Sequence, residues 1–248
     1  MNGFPSSGTT PTANGLLLID KPAGYTSHDV VARMRRHLRM RKIGHGGTLD
    51  PMATGLLVLL LGRGTKLSNL VMGSDKMYEG TIHLGVSTDS QDVEGEVLSE
   101  ADASGVTAEQ IDNELLNWSG DLMQIPPMIS AVKKDGIPLY KHARKGNTVE
   151  REPRLIHIYS FRIARFDSPL VEFQIRCTKG TYVRTLASDI GDALGCGAHL
   201  CALRRTESGT LHLNDAITLE LALETEPEDL FRRVIPPHRV RSAMGGEE

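Results

Sequence analysis

Cysteine is scarce in this chain. Its 248 residues hold three, Cys177, Cys196 and Cys201. An odd, sparse set argues against a disulfide-stapled secreted scaffold. Cys196, His199 and Cys201 lie close in sequence, but no fourth ligand stands at a familiar zinc spacing. They read as small core residues, and no metal is expected. Long apolar runs are missing too. Residues 1–13 form a polar tail without the apolar stretch of a signal peptide, and nothing approaches the length of a membrane span. The chain therefore reads as soluble and cytoplasmic. A charge excess is also absent: the net charge is -3, so bulk charge points to no partner. There is no P-loop, no dinucleotide fingerprint after a strand, no G-x-S-x-G and no zinc helix motif. The acidic stretch T-D-S-Q-D-V-E-G-E (88–96) fails the glycine and acid spacing of a calcium loop.

What is present is a sizeable apolar fraction, 40%, enough for a large core. The length allows one large domain or two modest ones. Residues 15–20 read as a short strand stopped by Lys21-Pro22. Ser27 is read as the N-cap of a helix over 28–41, with Val30, Val31, Met34 and Leu38 as its apolar stripe. Further strands are expected over 77–84, 154–165, 169–177 and 198–206, and helices over 107–116, 138–145, 182–194 and 227–233. The whole reads as one mixed α/β body.

Charge is segregated along the chain. Arg33, Arg35, Arg36, Arg39, Arg41 and Lys42 crowd residues 33–42, and a second basic region runs from Lys133 and Lys134 to Arg154. Acidic residues gather between Asp89 and Glu114. Such segregation suits a polyanion-binding face, or simply two solvated faces.

The most informative window is G-H-G-G-T-L-D-P-M-A-T-G (44–55). Four glycines surround one carboxylate, Asp50, with His45 upstream and Pro51 directly after. A residue before proline is pushed out of the helical region, so Asp50 should sit in an extended or turn conformation. The apolar run Leu56 to Leu61 should anchor the loop to a buried strand. Asp50 is then either a displayed acid or the side chain of an Asx turn. Other chemical candidates are Tyr78, Asp89 and Arg184, each with an ordinary structural reading.

Together these residues carry a resemblance. L-L-L-I-D-K-P-A-G-Y-T-S-H-D-V-V (16–31), the window at 44–55, I-P-P-M-I-S-A-V-K (125–133), C-T-K-G-T-Y-V-R-T-L (177–186) and G-C-G-A-H-L-C-A-L-R-R (195–205) occur in order. The chain resembles bacterial tRNA pseudouridine synthases of the TruB type over roughly residues 14–210. The resemblance implies an α+β, pseudouridine-synthase-like core with a central mixed, largely antiparallel β-sheet flanked by helices. It implies isomerisation of uridine 55, in the T arm of tRNA, with no cofactor, since nothing is oxidised or added.

By the same resemblance Asp50 is the catalytic acid residue, Arg184 pairs with it and favours its ionised form, and Tyr78 stacks on the uracil. The Tyr78 hydroxyl is a candidate for taking the carbon 5 proton. Asp89 would hold Arg184. His45 would stand beside the flipped nucleotide, and Tyr182 and Leu203 would line the base pocket. Residues 125–153 correspond to an RNA-contacting insertion, with Lys133 and Lys134 as contacts. Arg33, Arg36 and Arg39 would hold the RNA backbone. Many relatives have a tyrosine at the position of Ile129, and many carry a C-terminal PUA barrel. Residues 216–248 are too short for a complete one. The expected partner is tRNA, with no membrane and no obligatory protein partner, and a monomer is the default. The competing reading is an RNA-binding module that remodels tRNA folding without chemistry; a nucleoside hydrolase is a third.

Overall fold

Strand β3 (Thr54–Leu61) is the backbone of the fold. Its run of leucines and valine shows no alternation because both faces are covered. Leu57, Leu59 and Leu61 enter one apolar cluster, and Leu56, Val58 and Leu60 enter another. A continuous apolar run is what a strand buried on both sides requires. Strand β1 (Gly15–Lys21) pairs antiparallel with β3 and divides the same way, with Leu17 and Ile19 on one face and Leu16 and Leu18 on the other.

The computed structural model describes residues 13–243, apart from 131, 135, 140, 141, 143–146 and 148. The strands after β1 are β2 (Ile43–His45), β3, β4 (Lys76–Leu84), β5 (Val86–Thr88), β6 (Val97–Glu100) and β7 (Gly120–Gln124). Then come β8 (Lys133–Lys134), β9 (Ile137–Pro138), β10 (Arg154–Asp167), β11 (Leu170–Cys177), β12 (Ala198–Ser208), β13 (Leu211–His212) and β14 (Ile217–Thr218). The helices are α1 (Ser27–His37), α2 (Ser68–Gly73), α3 (Ala108–Asn117), α4 (Val183–Ala193), α5 (Leu219–Glu224), α6 (Pro227–Arg232) and α7 (Pro237–Ala243). The order β14-β1-β3-β12-β4-β11-β10-β7 makes one ten-stranded sheet, with β13 and β2 attached beside β12 and β3. Its pairs are antiparallel except β1 with β14 and β12 with β3.

Two sequence expectations change at α1. Thr26, not Ser27, is the N-cap: its side chain accepts from the Asp29 amide, and Asp29 reaches back to the Thr26 amide in a capping box. Ser27 is buried and bonds the Leu49 backbone instead. The helix ends at His37 rather than 41, because Arg39 takes φ 51° and turns the chain. The apolar stripe Val30, Val31, Met34 and Leu38 is buried as expected. The strand and helix positions expected from residue 77 to 206 agree within a few residues. The helix expected over 138–145 lies mostly outside the described residues, and Pro138, at its expected start, belongs to β9.

The C-terminal segment is part of the core. Strand β14 pairs with β1 through Ile19 and Ile217, Ile235 bridges to Leu16, and Leu219, Ala222 and Leu230 enter the first cluster while Val240 enters the second. It therefore covers both faces at the β1 end of the sheet.

Gly55, the second residue of β3, takes φ +96, and a Cβ there would stand 2.3 Å from the Arg205 carbonyl oxygen. Gly55→Ala is expected to cost about 1–3 kcal/mol in urea denaturation. Thr26→Ala should cost about 1 kcal/mol, the loss of one cap. A Ser27→Ala loss with no Thr26→Ala loss would return the cap to Ser27.

Candidate active site

Asp50 is clamped from both sides. Before it, the Leu49 amide donates to Ser27 Oγ at 2.9 Å, and that hydroxyl donates to the Leu49 carbonyl at 3.2 Å. After it, the Pro51 carbonyl accepts from Lys21 Nζ at 3.2 Å and from the Gly24 amide at 2.9 Å. Lys21 is wholly buried and also binds the Pro22 and Tyr25 carbonyls. Burial lowers its pKa to about 8, while Asp50 opposes the shift. The start of α1 and the end of β1 thus hold the acid loop.

The Asp50 carboxylate meets Arg184, the second residue of α4. Arg184 Nε lies 2.9 Å from Asp50 Oδ2, and Nη1 lies 3.2 Å from Asp92 Oδ2. Nη1 also donates to the Ser90 carbonyl and Nη2 to the Ile129 carbonyl, each at 3.0 Å. The arginine side chain is 3% exposed, against 36% for Asp50, which opens into the cleft. Burial raises the Asp50 pKa above its usual 3.8; Arg184 opposes the shift and Asp92 adds to it. The sequence-based expectation that Arg184 would favour ionisation describes one influence correctly, but the net direction is upward.

The cleft has a volume of about 270 Å³. Its lining includes Asp50 from the loop, Tyr78 from β4, Tyr182 and Arg184 from the start of α4, and Leu203 and Arg205 from β12. Tyr182 precedes α4 without a side-chain cap of its own. Gln124 replaces it: Oε1 accepts from the Tyr182 amide at 2.8 Å and Nε2 donates to the Tyr182 carbonyl at 3.0 Å. Among the described residues no cluster of three or more His, Cys, Asp or Glu could hold a metal, and no helix is long and apolar enough to cross a membrane.

The family model for TruB family pseudouridylate synthase (N terminal domain) matches residues 35–183, and that for the tRNA pseudouridylate synthase B C-terminal domain matches 184–239. The chain belongs to the TruB family of pseudouridylate synthases. It is 54% identical over 234 residues to a protein of Opitutus terrae named tRNA pseudouridine synthase B, covering 94% of this chain and 97% of that one. A protein of Geobacter sulfurreducens with the same name is 50% identical over 207 residues, 84% of this chain and 68% of the relative. A chain in the crystal structure of a Cbf5-Nop10-Gar1 complex superposes with a TM-score of 0.72 at 29% identity, over 92% of this chain and 61% of that one.

The synthase brings most of the expected residues together. Asp50, Tyr78, Tyr182, Arg184 and Leu203 all line one cleft. His45 does not line it: it stands behind the loop, its ring 5.1 Å from His28 in an edge-on contact. Burial, with His28 and Arg205 adding repulsion, lowers its pKa to about 4, so its ring is neutral near pH 7. Arg33, Arg36 and Arg39 are exposed, and Arg33 lies over the Tyr25 ring at 4.8 Å. Lys133 and Lys134 form β8, but their side chains lie outside the described residues.

Asp89 is a correction. It is exposed and accepts from the Glu96 amide at 2.9 Å, while Asp92 holds Arg184. Gln91 between them takes φ 64°, a left-handed residue that turns Asp92 inward. Sequence reasoning also missed Lys21, Gln124 and Arg205. The lysine and proline at 21–22 were visible as a strand stop, but nothing in the sequence marks Gln124.

Asp92→Asn should cost about 3 kcal/mol in denaturant unfolding, since it weakens a buried ion pair. Asp89→Asn should change stability by less than about 0.5 kcal/mol, as for other surface sites. The reverse ranking would restore Asp89 as the support of Arg184.

Proposed function

We propose that the synthase converts uridine 55, in the T arm of tRNA, to pseudouridine after flipping it into the cleft beside Asp50. The reading rests on the family and on relatives named tRNA pseudouridine synthase B. A structural neighbour titled as an H/ACA RNP bound to a substrate RNA containing 2'-deoxyuridine adds to it; it superposes at TM-score 0.69 and 25% identity over 97% of this chain. The position within the tRNA comes from the family resemblance. The observation that carries the chemistry is the 2.9 Å contact of Arg184 with Asp50 at a cleft also lined by Tyr78.

A uridine in a folded arm reaches such a cleft only by leaving its stack, which costs a few kcal/mol. Tyr78 and Leu203 offer faces for the base, and Asp50 approaches the sugar. The bond from C1′ to N1 breaks, the uracil turns, and C5 joins C1′. C5 then loses a proton and N1 gains one, so the product is an isomer of the substrate. Asp50 acts ionised, either adding covalently to sugar or base or removing a sugar proton. Arg184 holds the carboxylate in place, Tyr78 takes the C5 proton, and Asp92 positions Arg184. Exposed Arg33, Arg36 and Arg39, with Lys133 and Lys134, supply phosphate contacts that weaken with salt.

Asp50→Asn should lower pseudouridine formation on the order of 10³-fold or more, with tRNA binding retained. The wild-type single-turnover rate should fall on acidification with a midpoint above pH 3.8, because the folded carboxylate titrates higher than a free one. Neutralising Asp92 removes a charge that raises Asp50, so Asp92→Asn should move that limb to lower pH. Wild-type protein that binds tRNA tightly and makes no pseudouridine would establish the RNA-binding module instead. Release of free uracil would establish a hydrolase.

A further inference from the structure

Arg205 sits where three strands meet. In the sheet register it lies opposite Tyr78 of β4 on one side and Gly55 of β3 on the other. Directly opposed residues of an antiparallel pair hold their Cβ atoms about 5 Å apart. The register shifts immediately afterward, between Arg205 and Glu207. Such bulges re-aim side chains near functional sites.

The side chain is 2% exposed, yet it contributes to the cleft lining. Its Nε donates to the Leu56 carbonyl at 2.7 Å and its Nη2 to the Gly47 carbonyl at 3.2 Å. Tyr78 stands directly opposite it in the register and lines the same cleft, so the guanidinium charge acts on the phenol. One guanidinium therefore ties the start of β3 to the Asp50 loop, directly beside the tyrosine. No carboxylate forms an ion pair with it among the described residues. A buried cation without a carboxylate is costly, and arginine is the side chain that keeps its charge under those conditions. Nearby Lys21, His45 and Lys76 are each shifted toward the neutral form, chiefly by burial and partly by Arg205.

We propose that Arg205 is a positioning residue for the isomerisation: it fixes the Tyr78 hydroxyl at the cleft and stabilises the phenolate that takes the proton from C5. The role rests on the reaction proposed above. In this step the C5–H bond breaks and its electron pair restores the C5–C6 double bond. The former C6–N1 π pair moves to N1, which takes a proton from solvent. The phenolate becomes a phenol and later returns its proton to solvent. The charged and titratable groups acting most strongly on Tyr78 are Arg205, Cys177 and Asp50, and Lys76 and Arg184 line the same cleft. Burial pushes the phenol upward, and Arg205 is the foremost influence against it. Burial pushes the Cys177 thiol up to about 12, so it brings no negative charge near pH 7.

The test is single-turnover pseudouridine formation on tRNA carrying ordinary or 5-deuterated uridine, with wild type, Arg205→Met, Arg205→Lys and Tyr78→Phe. Arg205→Met should slow the reaction on the order of 10²-fold, while tRNA affinity stays unchanged. It should also introduce a primary isotope effect and move the rise of rate with pH to higher pH, since loss of a cation raises the phenol. Arg205→Lys should recover part of the rate, and it carries the test through the same isotope effect if Arg205→Met does not fold. Folded variants that react at the wild-type rate, or that slow without an isotope effect as tRNA affinity falls, overturn the proposal. If wild type forms no pseudouridine, the reaction itself is misassigned. If wild type is active and Asp50→Asn is not, yet no Arg205 variant shows an isotope effect, the role of Arg205 alone fails.

Discussion

The site depends on one buried guanidinium. Arg184 spans two carboxylates and two carbonyls contributed by different parts of the chain. Each contact alone would be ordinary. Together they bind the start of α4, the turn after β5, the segment around Ile129 and the Asp50 loop to one planar fork. A planar fork with fixed donor directions can impose relative orientation as well as attraction, which a lysine at this point could not do. Burial outweighs the pull of Arg184, which Asp92 partly offsets, so Asp50 is raised rather than lowered.

Much of the fold was legible because amphipathic periodicity is local. The stripe of α1 and the alternation of β4 and β11 depend only on neighbouring residues. Register is different. Whether Arg205 points into the protein or out of it depends on how β12 pairs with β3 and β4, and no local pattern encodes that pairing. A charged residue in a strand reads as surface until register places it inside. The reading of Ser27 as the N-cap failed for a smaller reason: its neighbour Thr26 can cap as well, and one residue of phase decides which is buried.

The site shows the same division. Asp50, Tyr78 and Arg184 were recoverable because distinctive segments carry them. The acid behind Arg184 was not, since Asp89 and Asp92 occupy one short polar stretch and differ only in direction. The left-handed Gln91 turns the chain between them, and a bridge to Leu200 pins Asp92. The part that the C-terminal segment plays in the core was not legible, because its packing partners lie far away in sequence. Its contribution comes from where it packs, over β1, rather than from a strong pattern of its own.

Strand β3, covered on both faces, has a consequence for selectivity. The acid loop is mounted on the least yielding part of the molecule, with hydrogen bonds from β1 and α1 holding its two ends. A cleft built this way has little capacity to reshape itself around a nucleotide. Deformation then falls on the RNA. A uridine in a loosely stacked loop costs less to flip out than one in a regular helix. The rigidity of one strand thereby becomes a filter for RNA conformation, acting before any base is read.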